Sequence, residues 1–290
     1  MPAALQDARA EPSWPLRAYA ILARIFEDAR AHNLNVLAAG IGLYAFLALL
    51  PFIASVAVIY GMFVEPDAAQ SGVRSLLFMA PSRAQDLVAD RLVPIMGRWN
   101  GGLPTLAAGL LLALYAAARA ARSILAALNL IHGHEPRGFL KRWAVSLGIC
   151  LSGGLVTLLA LIAIAASAYV GALMPGGGLV WLLSQAAFWL ILAAAVSVLL
   201  GLLYRYGPNG PMGSWREVAP GAVAASLLWL LGSVAFSVYV PVFARYDVTY
   251  GSLAAVVVLQ LWLYASAFVL LLGAQLNMGI GVSGRRQIEP

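Results

Sequence analysis

Long apolar runs alternate with short polar connections along most of the chain. Six of these runs lie at about residues 36–60, 103–129, 143–171, 180–204, 218–243 and 251–280. As a helix rising about 1.5 Å per residue, each is long enough to cross roughly 30 Å of hydrocarbon. A segment in lipid must satisfy its own backbone hydrogen bonds, so the pattern predicts helices. The expected fold is an all-α polytopic membrane protein with six transmembrane helices. Pro51 and Pro241 fall in two of the runs, where proline is tolerated and bends the helix.

Two further stretches show helical periodicity with a polar face. In residues 14–29, Trp14, Ala18, Ile21, Leu22, Ile25 and Ala29 share one side, and Arg17, Arg24 and Asp28 share the other. This predicts an amphipathic helix at the membrane interface. The only long connection, residues 61–102, holds the second. There Ser82 and Gln85 form a capping box, and Leu87, Val88, Leu92 and Ile95 recur opposite Arg83, Asp86 and Asp90. Ser214 and Glu217 make another capping box ahead of the fifth run, and Asp247 or Thr249 can cap the sixth. Pro175-Gly176-Gly177-Gly178 marks a turn between the third and fourth runs. The expected organisation is a cytoplasmic N-terminal segment (1–35), a membrane domain (36–280) with a periplasmic loop (61–102), and a cytoplasmic tail (281–290).

Composition removes the soluble alternative. Apolar residues make up 62% and charged residues 10%, against roughly 45–50% and 25% in soluble domains. The net charge of +6 would suit nucleic acid or an anionic membrane surface. The basic residues sit between apolar runs and form no basic domain, so membrane lipids are the expected partner and nucleic acid is not. Of the 18 Lys and Arg, 13 fall on the side of the two termini and five on the other, which predicts both termini in the cytoplasm of a bacterial inner membrane. That count assigns Arg119 and Arg122 to the second connection, with the second span leaving hydrocarbon near Ala118 and continuing as helix beyond it. Residues 1–30 mix Arg9, Arg17, Arg24 and Arg30 with Asp7, Glu11, Glu27 and Asp28 and read as no cleavable signal peptide. Cys150 is the only cysteine and cannot form an intrachain disulfide.

Candidate chemistry concentrates at the cytoplasmic ends of the spans. Arg119 and Arg122, three residues apart, share a helix face, with Asn129 and Arg137 following on the same side. Arg205 ends the fourth run between Tyr204 and Tyr206. Guanidinium forks at that interface match phosphate oxygens, and the three arginines Arg119, Arg122 and Arg205 are expected at similar depth. Tyr250, near the outer start of the sixth span, is a further candidate contact because loops at helix N-termini favour anions. The plainer reading of all these residues is topology and interfacial anchoring, which the positive-inside rule alone predicts.

Enzymatic signals are poor. His32, His132 and His134 are the only histidines, and Glu135 follows His134, yet there is no H-E-x-x-H pair and no G-x-S-x-G elbow. Gly279 to Gly284 matches G-x-G-x-x-G but ends a membrane helix instead of following a strand. No catalytic residue, metal site or cofactor is expected. Gln185, Gln260, Gln275, Asn277 and Thr157 are the main polar groups within spans, as helix–helix hydrogen bonding requires. Gly148 and Ser152 are small enough to permit close packing, including with a second copy in a homo-oligomer.

The chain also resembles the YihY/BrkB family. The resemblance is carried by Ala38-Ala39-Gly40, Tyr44-Ala45-Phe46 and Leu49-Leu50-Pro51 in the first span, and by Ala127-Leu128-Asn129, Glu135 and Arg137 at the end of the second. It continues in Leu203-Tyr204-Arg205-Tyr206, Pro208-Asn209, Trp215-Arg216-Glu217-Val218 and Pro220-Gly221. The last two spans add Phe236, Tyr239, Thr249-Tyr250-Gly251-Ser252, Leu261-Trp262-Leu263-Tyr264 and Leu272-Gly273-Ala274-Gln275-Leu276-Asn277. Asn33 and Gln275 depart from the aspartate and glutamate common in that family. Members have been called ribonuclease BN, a misassignment, and others are linked to serum resistance or to movement of envelope lipids. The resemblance implies a membrane protein. The expected function is a transporter or flippase-like carrier of an anionic lipid or amphiphile. The alternatives are a small-solute exporter or channel lined by Gln185, Gln260 and Gln275, and a non-transporting scaffold for envelope assembly.

Overall fold

The computed structural model describes residues 14–63, 102–135, 138, 141, 143–150, 152, 178–210, 214–243 and 252–285. They form α1 (Trp14–Ala31), α2 (Leu34–Phe63), α3 (Gly102–Ile131), α4 (Leu179–Tyr206), α5 (Trp215–Phe243) and α6 (Ser252–Arg285), with a helical stretch at 143–150 between α3 and α4. No strand occurs among the described residues. The surface helix expected at 82–95, most of the run at 143–171 and the caps expected at Asp247 and Thr249 lie outside them.

Four described helices are long and apolar enough to cross a membrane: Ala107–Ile131, Trp181–Tyr206, Trp215–Phe236 and Val256–Ile280. A fifth results if Ala23–Ala31 and Leu34–Leu49 count as one span bent by 64°. The bend has a local cause. Asn33 adopts a left-handed backbone (φ 51°), a conformation that asparagine tolerates better than most residues. Its N–H donates to the Arg30 carbonyl, ending α1, and its own carbonyl accepts from Val36 and Leu37, starting α2.

α6 is the hub. It packs against α5, α2, α1 and α3, while α2 also lies along α3, and α4 lies along α5. Small residues let the backbones approach, as membrane helix pairs require. A Cβ on Gly42 would lie 3.0 Å from the Tyr264 backbone nitrogen, so α2 crosses α6 there. At the α5–α6 seam, a Cβ on Gly221 would overlap the Gly273 carbonyl oxygen. Asn277 locks that seam: its Oδ1 accepts from the Gly221 N–H at 2.7 Å and its Nδ2 donates to the Val218 carbonyl at 3.0 Å.

The apolar face of α1 behaves differently from an interfacial helix over its second half. Ile25 and Ala29 are buried, and a Cβ on Gly279 of α6 would meet Ile25 at 3.3 Å. Protein, not lipid, covers that stripe. The buried cluster, including Leu34, Leu128, Tyr204, Ala225 and Leu271, gathers at the end of the bundle that holds the α1–α2 break and the ends of α3 and α4. Leu111, Leu190, Ile191, Leu231 and Val238 are instead more than half exposed, as lipid-facing positions should be. At 30 residues α3 is about 45 Å long, and α6 with 34 about 51 Å. Both exceed a hydrocarbon core of about 30 Å, so the buried polar residues Asn129, Gln275 and Asn277 fit a part of the bundle that projects beyond it.

Candidate functional site

Each of the three candidate arginines rests on aromatic rings. Arg119 is exposed on α3, with its guanidinium carbon 5.7 Å from the ring centres of both Tyr44 and Tyr115. Its Nε donates to the Tyr115 hydroxyl at 3.3 Å. Arg122, one turn on, lies 4.6 Å over Trp143 and donates from Nε to the Ala118 carbonyl at 3.1 Å. Arg205 lies 4.9 Å from Trp215 and 5.5 Å from Tyr206. The faces of these rings are electron-rich and hold a guanidinium plane without neutralising it. Among the described residues two buried side-chain nitrogens have no hydrogen-bond partner: Arg122 Nη2 and Arg205 Nε. Among the described residues none of the three arginines pairs with a carboxylate.

The structure does not bring the three to one depth. A Cβ on Gly207, two residues past Arg205, would lie 2.9 Å from Leu128, which is nine residues, or about 13 Å, beyond Arg119 along α3. Arg205 therefore sits nearer the helix ends than Arg119. Arg119 and Arg122 also reach different neighbours, one toward α2 and the other toward Trp143. Arg137 and Tyr250 lie outside the described residues.

Asn129 is buried and fixes the connection after α4. Its Oδ1 accepts from the Asn209 backbone N–H at 2.7 Å, and Asn209 Nδ2 donates to the Glu135 carbonyl at 3.0 Å. A Cβ on Gly210 would overlap the His134 ring. The 207–210 turn is thus clamped on the end of α3. That end is a Schellman cap: Gly133 has φ +65°, the His134 N–H donates to the Asn129 carbonyl, and the Gly133 N–H donates to the Leu130 carbonyl. The His132-Gly133-His134 run owes its glycine to this turn. His132 Nδ1 bonds the Leu128 carbonyl at 2.8 Å, and burial holds its pKa below the usual histidine value, partly offset by that bond. No group of three potential metal ligands occurs among the described residues.

Residues 25–289 match the family described as virulence factor BrkB. The chain belongs to that family. It is similar to YfkH of Bacillus subtilis (strain 168), whose name reads "ribonuclease-like protein", at 32% identity over 203 residues, 68% of this chain and 73% of YfkH. A UPF0761 membrane protein of Pseudoalteromonas translucida (strain TAC 125) is 27% identical over 282 residues, covering 93% of this chain and 86% of its own length. A UPF0761 membrane protein of Idiomarina loihiensis is 34% identical over a shorter stretch of 102 residues, 35% of this chain and 36% of that protein. No solved structure matches. For this BrkB family member, a membrane-embedded helical bundle follows from both the relatives and the four to five candidate spans.

Apart from Tyr206 beside Arg205, sequence pattern alone did not find the ring partners of the arginines, nor the contacts of Asn209. Tyr44 and Trp215 carried only the family resemblance. Aromatic residues near a basic span end were the available signal, since both gather at interfaces.

Proposed function

We propose that this chain is a carrier of an anionic lipid or amphiphile in the bacterial inner membrane, crossing it six times with both termini in the cytoplasm. The observation that supports this reading is the pair of buried, unpartnered guanidinium nitrogens, Arg122 Nη2 and Arg205 Nε. A buried donor without an acceptor costs about 1–3 kcal/mol, and more on a charged group. A phosphate oxygen removes that cost, while Trp143 and Trp215 hold the guanidinium planes in place. Arg119 adds an exposed cation over the Tyr44 and Tyr115 rings. Transport of this kind needs no catalytic group, and the reading assigns none. The basic-residue asymmetry supports the orientation.

The test is reconstitution into liposomes with a panel of labelled lipids. Arg122→Lys and Arg205→Lys keep the charge for topology and lose the planar fork. With membrane insertion measured separately, each should insert normally and slow lipid movement several-fold. Unchanged transbilayer distribution across the panel with the unaltered protein would count decisively against the proposal.

A solute pathway has one observation in its favour: Gln260 Oε1 and Ser233 Oγ are buried without partners. Gln275 does not extend it. Its amide is bonded at one end to Asp28 of α1 and at the other to His32 of the α1–α2 break, and it lies 15 residues, or about 22 Å, along α6 from Gln260.

A further inference from the structure

Away from the three arginines, α1, the end of α3 and α6 surround a cavity of about 280 Å³. Arg24, Asp28, His32, His132 and Gln275 supply its polar wall, and Leu130, Ile131 and Met278 its apolar wall. Gln275, only 1% exposed, organises the polar side. Its Nε2 faces Asp28 Oδ2 at 3.4 Å and its Oε1 faces His32 Nδ1 at 3.2 Å. A carboxylate can only accept, which fixes the amide orientation. The amide oxygen can also only accept, so His32 Nδ1 carries the proton. The Leu128 carbonyl imposes the same tautomer on His132. In their neutral forms both imidazoles therefore leave Nε2 with a free lone pair.

Among the described residues, the charged and titratable groups lining the cavity are Arg24 and Asp28 from α1, His32 from the α1–α2 break and His132 just past the end of α3. The lining residues of α6 add none. Burial keeps the His132 pKa low, so near neutral pH this ring is an acceptor. Arg24 Nε and Asp28 Oδ2 stand 4.0 Å apart, both substantially exposed. Such a pair is weak and is readily separated by a ligand that matches both charges. A lone anion would meet Asp28, and a lone cation would meet Arg24. A ligand carrying both charges meets neither objection.

We propose that this cavity binds a small zwitterion bearing a primary ammonium, of the ethanolamine phosphate type. The ammonium N–H groups donate to the Asp28 carboxylate and the histidine Nε2 atoms, and the anionic end lies on the Arg24 fork. A primary ammonium has three donors. A quaternary ammonium has the same charge and no N–H, so the site discriminates against choline. The site shares no residue with the arginine set and stands independently of the lipid-carrier reading.

The experiment is isothermal titration of the full-length protein in detergent with glycerophosphoethanolamine and with glycerophosphocholine. The ethanolamine compound should bind at least about tenfold more tightly, the loss of hydrogen bonds to a charged group being worth that much. Asp28→Asn, which can still accept from Gln275, should abolish the difference, and Arg24→Gln should weaken both compounds. Arg122→Lys should leave the ratio unchanged, which separates this site from the carrier site. Acidification to below the usual histidine value of about 6.5 should weaken ethanolamine binding as His132, whose pKa burial depresses, takes up a proton at Nε2. Nanodiscs of phosphatidylethanolamine or phosphatidylcholine examined by native mass spectrometry identify the source. Selective retention of the ethanolamine lipid makes the ligand a head group, and binding of the soluble compound alone makes it a free zwitterion; both uphold the site. Melting temperatures without ligand check that each variant is folded. Equal affinity for the two compounds, binding of neither in any form, or a ratio unaffected in folded Asp28→Asn overturns the proposal.

Discussion

Replacing Gly221 with alanine places a methyl group in the seam between α5 and α6, where it overlaps the Gly273 carbonyl oxygen and comes within 2.5 Å of Asn277 Cγ and Oδ1. The obstructing atom is backbone, so no rotamer change relieves the overlap and the helices must separate. Overpacking of this kind costs about 1–3 kcal/mol. The separation also weakens the two Asn277 bonds to Gly221 and Val218, each worth about 0.5–1.5 kcal/mol. Alanine returns at most about 1 kcal/mol through helix propensity. The balance is a destabilisation of about 1–5 kcal/mol by these terms. Gly232→Ala on the same helix is the matched control, because a Cβ there has nothing within 4 Å. It should be neutral or stabilising by up to about 1 kcal/mol. Unfolding of both variants in detergent, followed by tryptophan fluorescence, gives the comparison. Equal shifts for the two would show that the α5–α6 seam is not tight at Gly221, and the packing argument would fail.

Asn33→Val forces a β-branched residue into the left-handed region and should lower stability by about 1–2 kcal/mol, with Asn33→Gly close to neutral; thermal unfolding distinguishes the two. Asn129→Leu leaves the Asn209 N–H without its acceptor, at a cost of about 1–3 kcal/mol, whereas Asn129→Asp keeps an oxygen in place and should lose much less in the same assay. His132 has a folded-state pKa depressed mainly by burial, so the unfolded chain binds the proton more tightly. Its effect is absent above the unfolded value of about 6.5, and stability falls as pH drops below it. His132→Asn should flatten that part of the stability–pH curve, and an unchanged slope would refute the assignment.

The helices themselves were legible because apolar run length and lipid thickness are coupled: α4 at Leu179–Tyr206 and α5 at Trp215–Phe243 follow the runs within a few residues. The Ser214 capping box was also legible, and its reciprocal half is present as the Ser214 N–H to Glu217 Oε2 bond of 3.3 Å. Pairings between distant helices were not. Nothing in periodicity says that Gln275 meets His32 and Asp28, or that Asn277 meets Gly221, because helix faces reveal what is apolar and not which neighbour covers it. The apolar stripe of α1 illustrates the limit: Ile25 and Ala29 read equally well as lipid-facing or helix-facing, and only the α6 contact decides. The depth of the arginines failed for a related reason. Position in the sequence puts all three near span ends, but only the packing of Gly207 against Leu128 shows how far along α3 the end of α4 lies.

The bonds between Asp28, His32 and Gln275 also set an order of events during synthesis. Translation at about 5–20 residues per second leaves an interval of roughly 12–50 s between the emergence of α1 and that of Gln275. Throughout that interval Ile25 and Ala29 have no α6 to cover them, so the nascent α1 must lie in the lipid interface, where its amphipathic pattern suits it. Docking on α6 is thus a late step that closes the newest helix onto the oldest. A chain that stops short of Gln275 cannot form the bonds to Asp28 and His32 and leaves α1 unfastened.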